Sequence, residues 1–164
     1  MNYQIVPISE EYIEGYCKSV AVVSSERLFL STFNGFSIKE SRDYVLNNRK
    51  KGLPHFVVLD QQNVIGWCDI SKNDSPIYEH SGVLGIGILK PYRGQGIGEK
   101  LIQKTLAAAK EIGLIRVELT VRDTNVNAIA LYKKVGFEVE GILRKSVCVD
   151  GVYANHIVMA ILFD

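Results

Sequence analysis

A chain of 164 residues, 47% hydrophobic and 23% charged, is long enough for one domain with a sizeable core and too short for two comfortable ones. Its formal net charge of +1 excludes the strong overall field expected of a protein built around nucleic acid or an anionic membrane. No apolar run approaches the ~20 residues of a bilayer span, and the start MNYQIVPISEEY lacks the basic-then-apolar pattern of a signal peptide.

Residues 3–8 read as a short first strand. Ser9 follows as a candidate helix cap, and Tyr12, Ile13, Tyr16, Val20 and Val23 recur behind it at helical spacing. Cys17, the first of three cysteines with Cys68 and Cys148, belongs to a set too scattered for a disulfide framework or a zinc site. The expectation is a reducing, cytoplasmic setting and no metal. A second helix is expected between residues 38 and 51, stopped by Gly52 and Pro54. His55–Asp60 and Asn63–Ser71, separated by the polar turn Gln61-Gln62, read as a hairpin.

After a polar loop over 72–80, residues 82–89 are almost all Gly, Val, Leu and Ile, the composition of a strand covered on both faces. Residues 99–112 form an amphipathic helix stopped by Gly113. Leu101, Ile102, Thr105, Leu106, Ala109 and Ile112 share one face of it. Arg116–Arg122 alternates strictly, with Val117, Leu119 and Val121 on one side. A short helix over 126–135 ends at Gly136, and strands over 137–149 and Val152–Leu162 join at Asp150-Gly151, a strong hairpin signal. The order β-α-α-β-β-β-α-β-α-β-β predicts a single α/β domain over 1–164, with a mixed central sheet and helices on both faces.

The segment Tyr92-Arg93-Gly94-Gln95-Gly96-Ile97-Gly98 lies between a buried strand and an amphipathic helix. Glycines there let main-chain amides approach a ligand, and the helix start adds unpaired donors, so the segment is suited to a pyrophosphate. Arg93, Lys90 and Lys100 can add positive charge. A Walker loop is excluded because Gly98 is followed by Glu99-Lys100-Leu101. A dinucleotide fingerprint starting at Gly94 needs glycine at 99, which is Glu, and would open the first βαβ unit instead of lying mid-chain.

Arg93, Gly96 and Gly98 match the Arg/Gln-x-x-Gly-x-Gly/Ala motif of the GNAT superfamily of N-acetyltransferases, which this chain resembles. The run from Asn125 to Phe137, with Ala128, Leu131, Tyr132 and Gly136, is similar to the second motif of that superfamily. The resemblance covers essentially the whole chain; the first helices and last strands match by layout more than by motif. It implies a GNAT-like acyl-CoA N-acyltransferase fold with acetyl-CoA as cosubstrate. Its pyrophosphate would lie on the main chain of Arg93, Gly94, Gln95, Gly96, Ile97 and Gly98, and its pantetheine along Ile86 and Ile88. Asn125 would contact CoA or cap its helix.

The implied chemistry is direct attack of a neutral amine on the thioester in a ternary complex, with no covalent nucleophile. Tyr132 stands where relatives place the proton donor to the CoA thiolate. The general base is open. Where some relatives carry Glu, five residues before the motif asparagine, this chain has Thr120; Glu118 on the same strand face, Glu79, His80 or a water chain are the candidates. Tyr12, Tyr16, Phe29, Phe33, Phe36 and Trp67 are candidates for an acceptor pocket, and Glu26, Glu40 and Asp43 for drawing a cationic amine. The expected partner is a small-molecule primary amine such as an amino acid, not nucleic acid or membrane. A protein N-terminus and a non-catalytic acyl-CoA sensor are the alternatives, and the resemblance allows a homodimer.

Overall fold

The computed structural model describes residues 2–164; Met1, the first residue of the expected domain, lies outside the described residues. Seven strands form one sheet in the order β1-β2-β3-β4-β5-β7-β6. They are β1 (Tyr3–Pro7), β2 (His55–Asp60), β3 (Asn63–Ser71), β4 (Ser81–Ile88), β5 (Arg116–Arg122), β6 (Glu138–Val149) and β7 (Val152–Leu162). The helices are α1 (Ile13–Ser25), α2 (Ile38–Lys50), α3 (Ile97–Glu111) and α4 (Val126–Lys134). The mixed sheet and the element order agree with the sequence reading, and the boundaries differ by a residue or two.

The alternation of β2 explains how one strand serves two cores. Phe56 and Val58 point to a cluster with Leu101, Ile102 and Leu106 of α3 and Val117 of β5. Val57 and Leu59 point to the opposite cluster, with Ile13, Tyr16, Val20 and Val23 of α1 and Val45 of α2. Thus α3 and α4 cover one face and α1 and α2 the other.

The local signals act as physics requires, with one difference. The cap of α2 is a full capping box: Ser37 accepts from the Glu40 amide, and the Glu40 carboxylate accepts from the Ser37 amide. Ser9, expected to cap the first helix, instead donates its hydroxyl to Glu11 and precedes a short 3-10 turn, so α1 begins only at Ile13. The β6–β7 hairpin turns at Asp150 and Gly151 with φ of 52° and 78°, the left-handed pair of a type I′ turn.

The feature that positions the site is a break in the sheet. β4 and β5 run parallel and pair only over residues 81–83 and 116–118, then part. Leu89 donates its amide to Ile65 of β3 at 2.9 Å, so by ladder alternation the odd-numbered residues of β4 bond to β3. The main-chain groups of Ile86 and the amide of Ile88 are left facing the opening.

Candidate active site

The opening leads into a cleft of about 680 Å³ between the end of β4, the start of α3 and α4. Ile86, Ile88, Arg93, Gly94, Gly96, Ile97, Gly98, Asn125 and Tyr132 all line it. Of the sequence-named cofactor residues, Gln95 alone is absent from this lining, because its side chain turns back to donate to the Pro91 carbonyl at 3.0 Å. Gly94 and Gly96 have φ of 72° and 77°, and a Cβ built on either meets nothing within 4 Å. The loop is therefore a left-handed main-chain cradle with open space where side chains would be, and it runs directly into the amides of the α3 N-terminus. An elongated ligand with a pyrophosphate at one end and amides along its length fits this cleft.

Arg93 departs from the role expected of it. Its guanidinium makes two hydrogen bonds to Glu26, at 2.6 and 2.8 Å, and a third to the Ile88 carbonyl at 2.8 Å. The pair holds the Glu26 carboxyl below the usual carboxylate range. The arginine thus ties the end of α1 to the end of β4, and its charge is balanced before any phosphate arrives. Lys100 also leans elsewhere, 5.6 Å from the Tyr3 ring centroid.

Asn125 caps α4, its side chain accepting from the Ala128 amide at 3.3 Å, and it lines the cleft as well, so both expected roles are compatible. Tyr132 projects from α4 into the cleft, packed edge-on against Phe137 at 5.8 Å. Burial pushes its phenol pKa up, with the nearby Cys68 adding to the shift, so it stays protonated at neutral pH and can donate.

On the other side of β4 lies a second cavity of about 470 Å³, roofed by α1, residues 30–36 and α2, and floored by β3 and β4. Ile86 belongs to both linings, so this pocket and the cleft adjoin at the strand. Of the aromatic residues named from sequence, Tyr16, Phe36 and Trp67 line the pocket. Phe29 lines the cleft instead, Phe33 lies 3.8 Å beneath the Arg27 guanidinium, and Tyr12 packs on the α1 core. Of the acids, Glu40 lines the pocket, Glu26 pairs with Arg93, and Asp43 pairs with Lys39 on the surface.

None of the named base candidates lines either cavity. Glu118 is the cross-strand neighbour of Val83 at the pocket rim, but its carboxylate turns to Arg116 at 2.8 Å, and Arg116 also binds Glu140. The alternation of β5 does place Glu118 on the pocket's face of the sheet; the carboxylate there is engaged by the arginine beside it. Glu79 and His80 lie at the opposite end of β4, lining a separate polar cavity with Lys51 and Lys72. Thr120, on the same strand, is exposed.

Several residues in and around the pocket carried no sequence signal. Asp69 and Tyr44 meet there, with the Tyr44 hydroxyl donating to Asp69 Oδ2. Arg122, 8% exposed, donates to the carbonyls of Arg27 and Leu30 at 2.8 and 2.9 Å and so pins the roof segment to β5. A polar residue flanked by apolar ones in a strand is the only hint the sequence offers for Asp69. Among the described residues no group of His, Cys, Asp and Glu is placed to hold a metal, and no helix is long and apolar enough to cross a membrane.

Comparison with known proteins places this geometry among known ones. A family model described as the acetyltransferase (GNAT) family matches residues 22–137. An Escherichia coli protein named L-amino acid N-acetyltransferase AaaT is 27% identical over 131 residues, covering 77% of this chain and 81% of its own. A Mycobacterium tuberculosis protein named N-alpha-acetyltransferase RimI is 33% identical over 111 residues, covering 65% of this chain and 68% of its own. Among solved structures, yncA from Salmonella typhimurium with its cofactor acetyl-CoA superposes at a TM-score of 0.93 with 13% identity, covering 99% of this chain and 94% of its own.

Proposed function

The chain belongs to the acetyltransferase (GNAT) family and is an acetyl-CoA-dependent N-acetyltransferase; from that premise we propose that it acetylates the primary amine of a small molecule by direct attack within a ternary complex. The observation that carries this reading is the junction at Ile86, where the cleft suited to acetyl-CoA adjoins a second, partly apolar cavity of small-molecule size.

In this reading the amides of residues 93–98 hold the pyrophosphate, Ile86 and Ile88 pair with pantetheine as an added strand, and Asn125 borders the ligand. Tyr132 protonates the departing thiolate, because it is a protonated phenol projecting into the cleft from α4. Glu118, the sequence candidate for the base, is supported by its strand face alone, since its carboxylate is engaged by Arg116.

The Escherichia coli relative, named for amino acids, supports a small acceptor. The Mycobacterium tuberculosis relative supports a protein N-terminus as the second reading. A sensor without turnover is disfavoured by the presence of both Asn125 and Tyr132. The test is release of CoA thiol from acetyl-CoA in the presence of amino acids, polyamines, aminoglycosides and short peptides. Release dependent on small amines supports the proposal; release with peptides alone moves the assignment to the second reading; no release with any acceptor overturns both.

A further inference from the structure

Asp69 is 5% exposed and lies on the face of β3 that carries Trp67 and Ser71 into the acceptor pocket. Its cross-strand neighbours are His55 on β2 and Gly85 on β4. A Cβ at Gly85 would stand 3.3 Å from Asp69 Oδ1, tighter than ordinary contact, so the absent side chain is what lets the carboxylate lean over β4. Gly85 directly precedes Ile86, the residue common to pocket and cleft. Tyr44 occupies Oδ2, and Oδ1 accepts no side-chain hydrogen bond from the described residues.

A carboxylate buried this deeply is costly unless something cationic meets it. Among the described residues no Lys, Arg or His lines the pocket, while Glu40 adds a second carboxylate to its wall. The nearest buried base, His55, is held neutral by burial, with its pKa pushed down to about 4. Both ring nitrogens of His55 lack partners, so it offers Asp69 no charge. The lining has one polarity: it suits an ammonium and repels an anionic substituent.

Resting on the reading of this chain as an acetyl-CoA-dependent enzyme, we infer that Asp69 binds the ammonium of the acceptor and takes its proton, and that the acceptors are primary amines without a carboxylate beside the nitrogen. The ammonium passes one proton to Asp69, and the freed lone pair forms the N–C bond to the thioester carbonyl carbon. The C–S bond breaks, sulfur takes the Tyr132 proton, and the tyrosinate recovers a proton from the new amide nitrogen. Asp69 then yields its proton to water, leaving one amide, one CoA thiol and one proton.

Burial raises the Asp69 pKa to about 6, while the Tyr44 hydrogen bond acts the other way, so the group is ionised at neutral pH yet basic enough to accept a proton. The titratable groups around it are Tyr16 from α1, Tyr44 and Glu40 from α2, and His55 from β2. Burial raises both tyrosines, and the Ser37 hydrogen bonds lower Glu40, so Asp69 is the group that titrates near this pH.

The test measures CoA thiol release by the full chain with matched acceptors: tyramine, tyrosine and tyrosine amide, then agmatine and arginine. Tyramine and tyrosine amide are each expected to have a kcat/KM at least about tenfold above that of tyrosine, and agmatine above that of arginine, from like-charge repulsion and desolvation. Asp69→Asn should lower kcat/KM by about 100-fold or more, leave the acetyl-CoA Kd unchanged, and abolish the limb that rises through pH 6. Tyr44→Phe removes the hydrogen bond that lowers the Asp69 pKa, so it should move that limb to higher pH, and it serves if Asp69→Asn does not fold. Wild-type turnover and pH profile in Asp69→Asn, an unmoved limb in Tyr44→Phe, or preference for the amino acids would overturn the inference while amine-dependent release keeps the enzyme reading. Silence of the wild type with every acceptor would overturn both.

Discussion

The two cavities that adjoin at Ile86 are built in opposite ways. The cleft draws largely on one run, residues 86–99, and on one helix with its cap, and its loop presents main-chain amides beside a few polar side chains such as Asn125 and Tyr132. The pocket draws side chains from α1, the segment before α2, α2 itself, β3 and β4. A cofactor common to many proteins can be held by backbone, which varies little with sequence. An acceptor must be told from its competitors, and only side chains do that.

The comparison predicts that damage to the cleft will be severe and indifferent to the acceptor. Gly96→Val should have the largest effect. A β-branched residue at φ 77° strains the turn and fills the cradle, so acetyl-CoA binding by calorimetry should vanish while far-UV circular dichroism is retained. Micromolar binding in that variant would break the comparison, because the cradle would not be the binding element.

Tyr132→Phe comes next. Loss of a late proton donor should lower kcat about 100-fold with the acetyl-CoA Kd unchanged and with the same factor for every acceptor. An acceptor-dependent loss would mean that the phenol belongs to the pocket as much as to the cleft.

Gly87→Ala tests the wall between the cavities, since a Cβ at Gly87 would lie 2.1 Å from the Trp67 ring. The indole must shift, at a cost of about 1–3 kcal/mol by analogy with other overpacked cores. A lower Tm and a raised acceptor KM are expected, with a smaller effect on the acetyl-CoA Kd. An unchanged acceptor KM would show that Trp67 does not shape the pocket. The smallest effect is expected from Glu118→Gln: less than about a twofold change in kcat/KM, because its half-buried carboxylate is engaged by Arg116 and lines neither cavity. A large loss would restore Glu118 as the base.

The same contrast explains what was legible in the residues. The element order, the Asp150-Gly151 turn and the Arg93–Gly98 loop could all be read because each depends on neighbours a few positions apart. Boundaries slipped where competition was local too, as at Ser9, whose hydroxyl found Glu11 before it could cap a helix. Arg93 was legible as a motif residue, but its role was not, because Glu26 lies 67 positions away. Glu118 was placed on the correct face by alternation, and its Arg116 partner decided where the carboxylate points.

By itself, the sequence determined the class of this protein: periodicities of two and 3.6 set the layers, and glycines at left-handed positions set an open main-chain loop at the start of α3. Tertiary structure decided the parting of β4 from β5, the tying of residues 27 and 30 to β5 by Arg122, and the meeting of Asp69 with Tyr44 over Gly85. The physical reason is range. Backbone conformation answers to adjacent residues, whereas a buried charge takes its character from whatever strands and helices are packed around it.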